Sequence, residues 1–253
     1  MRWRVLGLLL LLAGCASDGG GSAGMAVEGG SKADALAKIH TELAAAYFSR
    51  KQYGIALQEV DIALKAKSDF APAFNIRGLI RMDLRENDKA QADFRRSLDL
   101  DGSDSNTHNN YGWFLCQTGR EKESIAQFKE SLNNPLYATP EIASVNAGLC
   151  SRKLGNMKDA EDYFQRALAY QPNYAEALYA LADFSYFKQD YVGAKSYLLK
   201  YLDKAPEPTA ASLWLGVRIE RHTGDRDAEE SYALRLRKYF PDSREAQLLQ
   251  KGE

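Results

Sequence analysis

The chain of 253 residues is 45% hydrophobic and 26% charged, which gives ample material for a folded core. Lys plus Arg number 33 against 34 for Asp plus Glu, so no basic field argues for nucleic acid and no acidic excess for a cationic partner. The three histidines are scattered, none has a Cys, Asp or Glu at a metal-ligand or triad spacing, and neither an enzyme nor a cofactor is expected.

Arg2 and Arg4 precede an apolar run from Val5 to Leu12 that is too short to span a bilayer, so residues 1–14 read as a signal peptide. Leu12-Ala13-Gly14-Cys15 follows and resembles the lipobox of bacterial lipoproteins, which implies acylation of Cys15 as the mature N-terminus. Several acyl chains, at about 0.8 kcal/mol per buried methylene, would anchor the protein stably. The resemblance also implies export to the outer membrane: Ala16 and Ser17 follow the cysteine, and Asp18 comes too late to act as an inner-membrane retention signal. From Asp18 to Gly30 glycine dominates without an apolar period, so residues 15–30 are expected to form a disordered tether reaching on the order of 20 Å. This stretch lacks the Lys-Ser or Lys-Thr ending of a phosphate-binding loop. Order is expected from Ser31, placed with Asp34 as a capping-box-like helix start.

Between Ala37 and Asp242 a unit of about 34 residues recurs, the period of helix-turn-helix solenoids. Six copies fit, at 37–70, 71–104, 105–138, 141–174, 175–208 and 209–242, with Thr139 and Pro140 as an insertion. Position eight carries Ala44, Gly78, Gly112, Gly148, Ala182 and Gly216; position twenty carries Ala56, Ala90, Ser124, Ala160, Ala194 and Ala228. Two helices of one unit must approach closely there, and added volume would cost roughly 1 to 3 kcal/mol. Helix breaks are written at Gly119 and Gly155 before second helices, and at Pro172 and Pro206 after them. Ser243 to Gln250 reads as a last short helix within a cap, 243–253. The pattern resembles the tetratricopeptide repeat (TPR) and implies an all-α, right-handed solenoid over residues 31–253. Arg77 and Arg81 depart from it, where an apolar and an aromatic residue are usual, and Gly224 falls one residue late in the sixth copy, leaving that register open.

His40 and His108 share repeat position four, normally a large packing residue, and read as structural; His222 reads as a solvated turn residue. Cys116 and Cys150 fall in the first helices of neighbouring copies, and two readings stay open: a disulfide, suited to an exported protein, or two buried thiols acting as small apolar residues. At 100° per residue, positions four, seven, eight and eleven pack inside, which leaves two, five, nine, twelve and thirteen on the opposite side. By resemblance to TPR proteins that side lines a concave groove. It carries Phe48, Leu79, Met82, Asn109, Trp113, Ile142, Val145, Leu149, Tyr179, Tyr186 and Phe187, with Leu213 and Val217 in the last copy. Such a density of aromatic and apolar residues predicts an apolar or amphipathic segment as ligand, although each single residue has the alternative of packing within the repeat. Asn75, Asn109, Arg152 and Lys153 supply at most part of a carboxylate-binding cluster.

Three stretches lie off the repeat consensus: NNYGWFLCQ at 109–117, NPLYATPEIASVNAGLC at 134–150 and FPDSREAQLLQKGE at 240–253. With the lipobox, they resemble the type IV pilus assembly lipoproteins of the PilF/PilW family across the whole chain. The resemblance implies a monomeric pilotin: an outer-membrane lipoprotein that binds subunits of the pilus secretin (PilQ-like) and is needed for their insertion and multimerisation. In that picture Cys15 supplies the address, the tether supplies reach, and the groove shields a secretin segment, with the copies nearest the anchor favoured. The competing expectation is a general outer-membrane TPR scaffold serving barrel assembly or cell-wall enzymes.

Overall fold

The repeat period is realised as stacked helix pairs. The structure, a computed structural model, describes the backbone of residues 22–205 and 207–252 and the side chains from residue 32 onward. Cys15, the signal segment and Pro206 lie outside the described residues. Within them are thirteen helices and no strand. The pairs are α1 (Ser22–Ser49) with α2 (Tyr53–Ala66), α3 (Ala71–Asp83) with α4 (Asn87–Leu100), and α5 (Ser105–Gln117) with α6 (Glu121–Asn133). Then come α7 (Pro140–Lys153) with α8 (Met157–Tyr170), α9 (Ala175–Phe187) with α10 (Tyr191–Lys204), and α11 (Ala210–Thr223) with α12 (Arg226–Tyr239), closed by α13 (Arg244–Gln250). Each pair is one repeat copy.

The contact pattern fixes which side is concave. First helices touch one another along the whole array, α1 to α3 through α9 to α11, whereas second helices touch only the first helices of their own and the next copy. The stack therefore curves with its first helices inside.

Within each copy the two helices meet at one small-on-large contact. A Cβ placed on Gly78, Gly112, Gly148 or Gly216 would lie 2.8, 2.9, 2.5 or 2.8 Å from a ring carbon of Phe94, Phe128, Phe164 or Tyr232 respectively. In the two copies with alanine at position eight, the facing residue is smaller: Ala44 shares a core cluster with Val60, and Ala182 with Leu198. Volume is thus exchanged across the contact, as close packing requires. The turn after the first helix needs one left-handed residue. Gly119, Gly155 and Gly224 supply it at φ 82°, 85° and 81°, but Lys51, Arg85 and Gln189 do so in copies one, two and five at φ 58°, 60° and 63°.

Several expectations need correction. Helix α1 begins at Ser22, so residues 22–30, expected as part of a flexible tether, are helical, and Ser31 is interior to the helix rather than its cap. Gly29 and Gly30 disfavour helix by about 1 kcal/mol each, yet extending a helix already nucleated on α2 needs no new nucleation, and the intervening Ala, Met, Val and Glu tolerate it. His222 lies in the last turn of α11, not in the connection, because α11 runs to Thr223 and ends on Gly224 at φ 81°. Leu213 and Val217 are fully buried in one cluster with Ala246 and Leu249 of α13, so the cap covers the face on which they were expected to be open.

Arg77 and Arg81 have a physical reason. Arg77 donates twice to Asp93, at 3.0 and 2.8 Å, and Arg81 donates at 2.7 Å, so a buried carboxylate replaces apolar packing at this joint. His40 contacts Glu59 at 2.5 Å, and His108 contacts Gln127 at 2.8 Å and the Gly102 carbonyl at 3.1 Å, consistent with structural roles.

Candidate functional site

On the inner side, Trp113 of α5, Ile142, Val145 and Leu149 of α7, Tyr179 of α9 and Tyr201 of α10 line a cavity of about 810 Å³. The walls are held from behind. Val145 packs with Ala167 and Ala177, and Trp113 lies against the cluster of Phe128, Ala147, Cys116 and Cys150. Cys116 and Cys150 are joined as a disulfide with Cα atoms 5.9 Å apart, which ties α5 to α7 directly beneath the cavity. Tyr179 and Tyr201 bring their ring centroids to 5.4 Å. Burial, reinforced by the Asp183 carboxylate, pushes the Tyr179 hydroxyl up to about 12; burial with Glu176 beside it does the same for Tyr174. Both phenols therefore stay protonated at neutral pH and remain hydrogen-bond donors.

Tyr186 and Phe187, at the end of α9, line a second cavity of about 540 Å³ together with Arg152, Asp183, Tyr191 and Arg218. Phe187 is 61% exposed, so this wall is open to solvent. Arg152 donates to Asp183 at 2.6 Å, and Arg218 places its guanidinium 4.6 Å above the Tyr186 ring and 3.8 Å from the second Asp183 oxygen. The His222 ring stacks on Tyr191, one of the lining residues, at 4.1 Å. Arg152 and Asp183 border both cavities.

Of the expected groove residues, Trp113, Ile142, Val145, Leu149 and Tyr179 thus converge on one cavity, and Tyr186 and Phe187 on the next. Phe48 is half-buried against the cluster of copy one, and Leu79 and Met82 against that of copies two and three. Asn109 is buried in a chain of amides along the inner face: Asn146 donates to Asn109 at 3.0 Å, Asn109 to Asn110 at 3.4 Å, and Asn110 to Asn75 at 3.1 Å. Lys153 is committed elsewhere, to the Cys116 carbonyl at 2.6 Å and to Glu121 at 2.9 Å. Sequence reasoning missed Asp183 and Arg218. The available signal was a charge at a repeat position that is apolar in other copies. Among the described residues no group of three or more His, Cys, Asp or Glu is placed to hold a metal, and no helix is long and apolar enough to cross a membrane.

Comparison with known proteins follows the same geometry. Tetratricopeptide-repeat family models match residues 71–104 and 152–214. The crystal structure of PilW, described as a widely conserved type IV pilus biogenesis factor, superposes with a TM-score of 0.78 at 36% identity, over 85% of this chain and 98% of that one. The chain belongs to the PilF/PilW family of type IV pilus biogenesis TPR proteins. The type IV pilus assembly protein PilF of Pseudomonas aeruginosa is 28% identical over 217 residues, 86% of each chain. The solved structure of Pseudomonas aeruginosa PilF has a TM-score of 0.77 at 26% identity, covering 88% of this chain and all of that one. The likeness to the PilF/PilW family thus covers 85% to 88% of the chain.

Proposed function

We propose that this protein is a pilotin: a lipoprotein anchored through acylated Cys15 at the periplasmic face of the outer membrane, which binds the pilus secretin and promotes its outer-membrane localisation and multimerisation. The observation that carries the reading is the likeness, over 85% or more of the chain, to type IV pilus biogenesis factors, combined with a mostly apolar, aromatic inner face that a partner segment can occupy. The parts divide the labour. Lipid supplies the address, and the solenoid shields an aggregation-prone segment until subunits assemble around it. A rigid array of helix pairs suits that task, because its groove is formed before the partner arrives and little ordering entropy is lost on binding.

The test is the state of the secretin in the source bacterium when the gene is deleted, restored, or restored as Cys15→Ala. Loss of SDS-resistant multimers on deletion, and outer-membrane rescue only by the wild type, is the expected result. Multimers formed in the wrong membrane by Cys15→Ala would assign delivery to the lipid and assembly to the solenoid. Unchanged multimers after deletion would reject the pilotin and favour a general outer-membrane scaffold.

A further inference from the structure

Three neighbouring copies each carry a charge at a helix position that is apolar in every copy before it. Arg152 stands at position twelve, where the preceding copies have Phe48, Met82 and Cys116; Asp183 stands at position nine, where Leu79, Trp113, Leu149 and Val217 stand in others. Arg218 stands at position ten, occupied by Ile80, Phe114, Cys150 and Phe184 in earlier copies. The fold brings these three exceptions together, with Arg152 bonded to Asp183 at 2.6 Å and Arg218 3.8 Å from the same carboxylate. Each is about one-third exposed or less, so the cluster is partly desolvated. The larger cavity beside it is mostly apolar and carries Glu176 and Glu207 on its lining, whereas in the smaller cavity Arg152, Asp183 and Arg218 are the only charged lining residues among those described.

The cluster is incomplete. Two guanidiniums share one carboxylate, which leaves a net positive charge, and 3.8 Å is too long for the Arg218 hydrogen bond. The Arg218 Nε is buried and has no hydrogen-bond partner among the described residues. Buried donors in native proteins are nearly always satisfied, so an unspent guanidinium edge in a groove marks a place where something else accepts. The neighbouring lysines do not blur this: Lys188 is paired with Glu161 at 2.7 Å and Lys153 with Glu121 at 2.9 Å.

We propose that the Arg152–Asp183–Arg218 cluster receives the carboxylate of an acidic side chain, carried by a partner segment whose flanking apolar residues enter the two adjoining cavities. An internal Asp or Glu fits better than a chain terminus, because Arg152 and Asp183 border both cavities and a segment crossing them continues on either side. Arg218 then forms the two-pronged bond to the incoming carboxylate while its face stays stacked on Tyr186. The apolar groove alone would hold many segments; the cluster sets which residue lies where, and so fixes register. This rests on the inner face being the partner site, as proposed above.

The experiment selects short random peptides on the purified protein and separately probes overlapping peptides that tile the secretin of the source bacterium. Selected peptides are expected to share an Asp or Glu between two apolar or aromatic residues. Exchanging that acid for its amide should weaken binding by about tenfold, which corresponds to about 1.4 kcal/mol. Arg218→Gln, checked for an unchanged urea midpoint, should erase the difference between acid and amide, and Asp183→Asn should tighten the acidic peptide. Arg218→Lys keeps the charge without the fork and should restore only part of the preference. Selection of peptides indifferent to the amide, retention of the preference in Arg218→Gln, or equal binding of peptides whose only carboxylate is C-terminal would each overturn the proposal, as would a selection that returns nothing. An acid-dependent consensus with no secretin tile captured would leave this proposal standing and remove the pilotin reading.

Discussion

Gly148→Ala tests the packing argument at its tightest point. The new Cβ would sit 2.5 and 2.6 Å from two ring carbons of Phe164 and 3.1 Å from the Ala160 carbonyl oxygen. Carbon atoms in contact prefer about 3.5–4.0 Å, so the ring would have to retreat by about 1 Å. It has nowhere to go, since Phe164 is fully buried and meets the Phe184 ring edge-on at 5.9 Å. Replacing a helical glycine returns about 1 kcal/mol of helix propensity, against roughly 2 to 3 kcal/mol of overpacking, so a net loss of about 1 to 2 kcal/mol is expected. Phe164→Leu alone should cost about 1 kcal/mol by lost volume. The double variant Gly148→Ala/Phe164→Leu reproduces the Ala182–Leu198 contact of the next copy, and the cycle should show a favourable coupling of about 1 to 3 kcal/mol. Urea midpoints at unchanged slope give all four corners. If Gly148→Ala costs the same in the Phe164→Leu background as beside the native ring, the exchange of volume across the helix pair is not what sets position eight.

Asp93→Ala strips the shared carboxylate from Arg77 and Arg81, and should lower unfolding free energy by about 3 to 5 kcal/mol, measured by chemical denaturation. Gln189→Gly relieves a left-handed residue at φ 63° and should raise stability by about 0.5 to 1 kcal/mol, seen as a higher urea midpoint; a decrease would mean the side chain is worth more than the strain. Opening the Cys116–Cys150 bridge, which spans a sequence separation of 34, should cost about 4 kcal/mol by loop entropy. Mass measurement after alkylation of the non-reduced protein checks the premise, and two free thiols would contradict it. Trp113→Glu and Tyr186→Glu place charges in the two cavities and should abolish partner capture without unfolding; wild-type capture by the folded double variant would exclude this face.

The fold was legible because its determinants repeat. Small residues at positions eight and twenty recur six times, and from copy two onward each helix pair starts within one residue of the copy boundary read from them, down to α13, capped by Ser243, whose hydroxyl accepts from the Ala246 amide at 3.1 Å. What did not repeat was read less well. The start of α1 lies nine residues before Ser31, the position that read as a helix cap, because the glycines there pointed the other way. Leu213 and Val217 satisfied the inner-face periodicity, but their cover comes from a helix about thirty residues later, which periodicity alone does not place. The left-handed turn residue was visible where it is glycine and hidden where it is Lys51, Arg85 or Gln189.

The two kinds of position obey different physics, and that separates scaffold from site. At positions eight, twenty and twenty-four the copies differ only as far as volume exchange permits, because these residues are packed between their own helix pair and the first helix of the next copy. At positions nine and twelve the choice is looser where they face the groove, as Asp183 and Arg152 do, and tight where they are covered, as at Val217 and Cys116. A charge there loses hydration without a packing gain, so it persists only with a partner. Asp93 with Arg77 and Arg81 shows the self-contained solution: one buried carboxylate takes three hydrogen bonds from two guanidiniums. Asp183 with Arg152 and Arg218 has the same composition but makes only one hydrogen bond among the three and leaves the Arg218 Nε unspent. The same trio of one Asp and two Arg thus serves structure in copy two, where the carboxylate is buried, and leaves capacity for a ligand in copies four to six, where the cluster lies between two open cavities.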